Sequence, residues 1–183
     1  MKKLLALTLA LCLLCGTALA EISNGSRLRM DDFFLNLSKG MEYVQSSKKK
    51  ADSVILTVYP YAGVEDKATS FNFYWKGKPY QISVKMLNDM LDKIKKQLVA
   101  SYEDKGFRVS QVWMGEPYDA YAGGVKCCVL ETQFRLQSGR ETTDVLQRQF
   151  FVGSTGYVIT LSATDMIRFL GADDVIDRCL RWY

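Results

Sequence analysis

The sequence predicts an α+β protein: a largely antiparallel, twisted sheet packed by a long central helix and a C-terminal helix. Three observations predict it. Strand-like and helix-like stretches are segregated along the chain, which favours an antiparallel sheet over a doubly wound parallel one. Residues 70–75, SFNFYW, set Phe71, Phe73 and Trp75 on alternate positions, the period of a strand with one face turned to a core. Residues 83–104 place Val84, Leu87, Leu91, Ile94, Leu98 and Tyr102 at steps of three and four, one apolar stripe of a helix.

Taken in order, the chain opens with MKKLLALTLALCLLCGTALA. Two lysines, a leucine-rich run and the small residues of Ala18-Leu19-Ala20 read as a signal peptide over 1–20, cut between Ala20 and Glu21. The protein is therefore expected to be exported, periplasmic or secreted, and the short MKK start favours a bacterial source. Cys15-Gly16 offers the alternative of a lipoprotein anchor, but Leu14 is not the small residue that such a signal wants before its cysteine. Removing 20 of the 183 residues leaves 163, enough for one compact domain without metal or disulfide staples.

Residues 21–30 read as a mobile lead-in and 31–183 as the domain. Asp31 to Leu37 is a first strand, broken by Ser38-Lys39-Gly40. Residues 53–59, SVILTVY, are a β-branched strand ended by Pro60, and Lys76 to Pro79 turn the chain after the aromatic strand. Ser83 caps the long helix and Gly106 stops it. Strands follow over 107–114 and 125–136, joined by the loop Glu116 to Gly124. Residues 144–152 and 156–163 then form a tight hairpin about Gly153-Ser154-Thr155-Gly156. A closing helix over 172–181 carries Ala172, Val175, Ile176, Cys179 and Leu180 on one face. Asp173 and Asp174 fall in its first turn, where negative charge suits the helix dipole.

Composition excludes several chemistries. The net charge of +4 falls to +2 once Lys2 and Lys3 leave, too little for a dedicated nucleic-acid partner. The run Lys48-Lys49-Lys50 reads as a solvated loop. No apolar stretch after the leader reaches the length of a transmembrane helix. There is no histidine, which removes Ser-His and Cys-His nucleophile pairs and the commonest zinc ligand. The acids, among them Asp31, Asp32, Asp89, Asp92, Asp173 and Asp174, show no spacing that singles out an acid/base pair. No cofactor, metal or catalytic residue is implied.

Cys127, Cys128 and Cys179 remain after the leader, an odd number that allows at most one internal bridge. Strand parity sends Cys127 and Cys128 to opposite faces. Cys128 then sides with Leu130, Phe134 and Leu136, and Cys127 with Val125 and Val129. Buried inert thiols are one outcome, a disulfide between Cys128 and Cys179, sharing one apolar layer, is the second, and redox or metal work the third. The best candidate for a binding surface is Trp113 with Tyr118 and Tyr121, large amphipathic groups on or beside the Glu116–Gly124 loop.

The order of elements resembles the PsbP-like family, also called the Mog/PsbP fold. The likeness is carried by QRQFFVGSTGYVITLSA over 147–163, by DDVIDRCLRWY over 173–183, and by the long helix followed by Gly106 and a strand. The family holds a photosystem oxygen-evolving-complex protein, the Ran-binding Mog protein and exported bacterial proteins of the DcrB type. Its Pro and Trp after the first strand are missing here, where Leu37 to Met41 stand instead. The resemblance implies the fold and transfers no site residue. The expected function is an exported, non-catalytic binding domain for a protein partner or a cell-envelope component. The rival is an extracytoplasmic enzyme built from scattered carboxylates, tyrosines or a thiol.

Overall fold

A computed structural model of the chain describes residues 20–21, 26–61 and 68–183, the first pair by backbone alone. The leader up to Leu19, with Cys15, lies outside the described residues. The residues of the expected cleavage junction, Ala20–Glu21, form a two-residue strand β1. The other strands are β2 (Ser26–Arg29), β3 (Phe33–Leu37), β4 (Glu42–Gln45), β5 (Ser53–Tyr59), β6 (Ser70–Trp75), β7 (Arg108–Met114), β8 (Tyr118–Ala122), β9 (Val125–Ser138), β10 (Glu141–Val152), β11 (Tyr157–Ala163) and β12 (Leu180–Trp182). The helices are α1 (Val84–Asn88), α2 (Leu91–Glu103) and α3 (Met166–Cys179).

Strands β1-β4-β5-β6-β11-β10-β9-β7 form one sheet in that order, with β8 also paired to β9, and every pairing is antiparallel. A second sheet, β12-β3-β2, is smaller. The α+β expectation is met. Each face of the large sheet carries its own apolar cluster. One gathers Leu87, Ile94, Leu98 and Tyr102 over Tyr74, Cys128, Leu130, Phe134 and Phe151. The other gathers Phe33 and Leu35 of β3 with Phe169, Ala172 and Ile176 of α3 over Phe71, Phe73, Val129 and Ile159. The central strands β6 and β11 are thus covered on both sides, and all seven residues of β11 are buried.

Phe33 organises the second cluster. It stacks on Phe73 at 5.1 Å and meets Tyr157 and Trp182 edge-on at 5.5 and 5.4 Å. Such contacts add about 0.5–1.5 kcal/mol each beyond the burial of area.

Several expectations are corrected. The long helix is two helices, broken at Asp89–Met90, just after Asn88; Asn88 and Asp89 are poor helix formers whose side chains compete for backbone hydrogen bonds. Ser83 does cap the first of them, its Oγ accepting from the Met86 amide at 3.2 Å. The lead-in is partly a strand, because Ser26–Arg29 pairs with β3 and packs Leu28 on the core. The loop before Gly123-Gly124 is mostly β8. Both glycines have positive φ, 58° and 86°, the requirement of a two-residue hairpin that returns β8 onto β9.

The closing helix starts six residues early, at Met166, where the Asp165 carboxylate accepts from the Arg168 amide at 2.9 Å. Asp173 and Asp174 therefore lie inside α3 and not in its first turn. The helix also ends at Cys179. Leu180 and Trp182 then alternate as strand residues, because pairing with β3 buries Leu180 and packs the half-buried Trp182 against the Phe33 cluster. Within the basic run, Lys49 is not solvated: its ammonium meets Asp32 and lies 4.3 Å above the Trp75 ring.

The turn Gly153–Gly156 carries the connection from β6 to α1. The Lys76 amide donates to Gly156 O and the Tyr80 amide to Gly153 O, both at 2.8 Å. The backbones approach so closely that a Cβ on Gly153 would sit 2.4 Å from Tyr80 O. One cleft opens on either side of this crossing.

Candidate binding surface

The register of β7, β9 and β10 decides which predicted residues meet. Trp113 pairs with Gln133 and Tyr118 with Val129, so both side chains project from the face on which α3 lies. Tyr121 pairs with Lys126 and leaves on the opposite face. The three aromatics therefore do not form one surface: Trp113 and Tyr118 do, and Tyr121 does not.

Beside Tyr118, residues that the sequence did not single out form a charged knot. Arg148 donates through Nε and Nη2 to Oε1 of Glu131 at 3.0 and 2.7 Å. Its Nη1 contacts the Asp173 carboxylate of α3. Its guanidinium stands 5.2 Å above the Phe169 ring. Tyr118 donates its hydroxyl to the same Glu131 oxygen at 3.0 Å. Burial pulls the guanidinium pKa down, but the two carboxylates win and hold it above its ordinary value. Burial is also the main reason that the Tyr118 phenol is pushed up to about 12. At neutral pH the knot is a fixed cation between two acids, capped by a neutral phenol.

Apolar groups surround it. Met166 and Leu170 lie three residues before Phe169 and Asp173, the two α3 residues on which Arg148 sits, so helical spacing puts them on the same flank. They are 51% and 57% exposed, with Ile167 at 82%, Trp113 at 55% and Tyr118 at 41%. Trp, Tyr and Met around a largely desolvated arginine are residue types enriched where proteins meet, and Leu170 adds apolar area. The helix half is missed by an expectation that starts the closing helix at 172 instead of Met166. The signal that locates it is Asp165, an N-cap residue just ahead of the apolar MIRFL.

Tyr121 stands instead beside the Asp119–Lys126 ion pair of 2.8 Å. Asp119 and Lys126 border a cleft of about 830 Å³ between the 80–86 segment and the start of β9, with Tyr80, Ile82 and Met86 on its walls. Cys128 Sγ donates to Asp119 Oδ1 at 3.6 Å. Burial pushes the Cys127 thiol up to about 12 and raises Cys128 as well. Both are protonated at neutral pH, which does not suit nucleophilic thiol work. Among the described residues, no cluster of histidine, cysteine and acid is placed to hold a metal ion.

The expected disulfide is not made: Cys127, Cys128 and Cys179 are all free. Parity holds, for Cys127 and Cys128 belong to clusters on opposite faces. The error lies in which face α3 covers. Cys179 borders Val58, Phe71 and Phe73, on the Cys127 face, so the whole sheet separates it from Cys128. Cys127 is no substitute. Like the other two, it is a free, buried thiol.

No family model matches the sequence, and neither does any curated protein. The fold does have solved counterparts, and it is PsbP-like. The chain is similar to the solution structure of cyanobacterial PsbP (CyanoP) from Synechocystis sp. PCC 6803, with a TM-score of 0.53 and 11% identity over 92% of this chain and 97% of that one. It is also similar to the crystal structure of LpqN, involved in cell envelope biogenesis of Mycobacterium tuberculosis. That match has a TM-score of 0.38 and 15% identity over 90% of each chain, too distant a superposition to bear on the fold or the site. No helix among the described residues is long and apolar enough to cross a membrane.

Proposed function

We propose that this protein is an exported, non-catalytic binding domain of the DcrB type of PsbP-like fold, and that it docks a protein partner of the cell envelope through the α3-side surface. The observation that carries the reading is the exposure of Trp113, Tyr118, Met166 and Leu170 around the Arg148 knot. The signal-like leader supports the compartment, and the PsbP-like fold supports the scaffold. Aromatic groups on strands present contact area at little entropic cost, Met166 adds an adaptable apolar contact, and the largely desolvated Arg148 lies among them.

The test is site-specific photocrosslinking in cells. A photoreactive residue at 113 or 170 is expected to capture one discrete partner, whereas the same residue at Lys93, exposed on α2 at the opposite face, captures none. Equal capture at all three positions, or none at 113 and 170, overturns the surface.

A further inference from the structure

The second cleft, about 400 Å³, lies across the Gly153–Gly156 crossing from the larger one. Asp31, Asp32, Lys49, Trp75, Trp182 and Tyr183 border it. Its occupant at one end is an ammonium group of the chain itself. Lys49 Nζ is held by Asp32, lies 3.7 Å from Asp31, and stands 4.3 Å from the Trp75 ring centre and 5.8 Å from that of Tyr157. Groups behind that ammonium have hydrogen bonds of their own. Tyr157 donates its hydroxyl to Asp32 Oδ2 at 2.6 Å, and the Tyr183 amide donates to Asp32 O at 3.1 Å. Trp182 is pinned by its indole N–H on Ala122 O at 2.8 Å. Lys49, by contrast, arrives on the 46–52 connection between β4 and β5.

We infer that this cleft is a receptor for an organic ammonium group, for which Lys49 holds the place. Two carboxylates and the face of a tryptophan are the combination that recognises alkylammonium ions, through charge and through the ring quadrupole. Trp75 and Tyr157 sit on paired core strands, and Asp32, in the bend just before β3, keeps the Tyr157 hydroxyl and the Tyr183 amide as partners when Lys49 leaves. The 400 Å³ beyond Nζ gives room for the body of a small amine. Lys78 at the border adds a positive charge, which limits the fit to a single ammonium and disfavours polyamines. An incoming amine displaces Lys49 into solvent and takes over Asp32. This site is separate from the α3-side surface, and its test is independent of that reading.

The experiment titrates n-butylammonium chloride into the full-length protein and follows the indole N–H signals of Trp75 and Trp182 by NMR, at constant ionic strength with sodium chloride. Saturable shifts of both signals are expected in the wild type. Lys49→Ala should bind the same ion at least tenfold more tightly, because no internal competitor remains, and adding Asp32→Asn should abolish binding. n-Butanol and butyrate should leave both signals in place. Should Lys49→Ala not fold, the wild-type comparison of n-butylammonium with n-butanol decides alone. Absence of saturation in the wild type, or equal shifts with n-butanol, overturns the inference.

Discussion

Truncating Leu98 and Leu91 in separate variants tests how the two-helix layer is seated. Leu98 is fully buried together with Leu87 and Ile94, and Leu91 is only half-buried, because the break at Asp89–Met90 turns it toward the rim. Leu→Ala removes about three methylene equivalents, roughly 2.4 kcal/mol of transfer free energy at a fully buried site. The packed surroundings of Leu98 relax only in part, so the cavity left behind raises the loss to about 3–5 kcal/mol. At Leu91 water fills the gap and half of the transfer is already forfeited, which leaves roughly 1 kcal/mol. Urea denaturation followed by circular dichroism measures both, with the slope of the transition unchanged. Equal losses at the two positions, or a loss under about 1 kcal/mol for Leu98→Ala, would refute the seating.

Four further outcomes are expected. Burial works to raise the Asp32 pKa, but the bonds from Lys49 and Tyr157 prevail and hold it below the ordinary 3.8. Asp32 then contributes stability that is complete above about pH 4 and lost as pH falls through the lower folded-state value. The stability gap between wild type and Asp32→Asn should close on acidification; a gap constant from pH 7 to pH 2 would show that the pair is not charged. All three cysteines should react with a thiol reagent only after unfolding, and non-reducing peptide mapping should find no internal bridge. Gly156→Ala should cost about 2 kcal/mol or more, since φ is +79° and the new Cβ would lie 2.7 Å from Lys78 O, whereas Gly139→Ala, with φ +59° and open space, should cost about 1–2 kcal/mol; thermal melts compare them. Trp113→Ala and Leu170→Glu should each shift stability by less than about 0.5 kcal/mol, as exposed positions do, while removing the crosslinked partner; a partner that persists in both variants would place docking elsewhere.

Local pattern alone determined the α+β class, the strands at 53–59 and 70–75, the cap at Ser83, and the opposed faces of Cys127 and Cys128. Each follows from side-chain periodicity or from a turn residue, and these are properties of neighbouring positions. Even the β8 hairpin was legible in Tyr118-Asp119-Ala120-Tyr121-Ala122 followed by two glycines, had the period been weighed above the loop composition. Half of the candidate surface, Trp113 and Tyr118, was likewise visible as residue types. Its other half was not. Only strand order and register decided that Tyr121 leaves by the far face, and that Arg148, Glu131 and Asp173, spread over 43 positions, converge on Tyr118. Which face α3 would cover was equally open, and with it the partner of every cysteine. That choice rests on the small sheet: Leu180 and Trp182 gain more by pairing with β3 over Phe33 than by extending a helix, and this pairing anchors α3 on the Cys127 side. Such a balance between distant segments has no local signature, because the free energy that settles it exists only once the whole core has assembled.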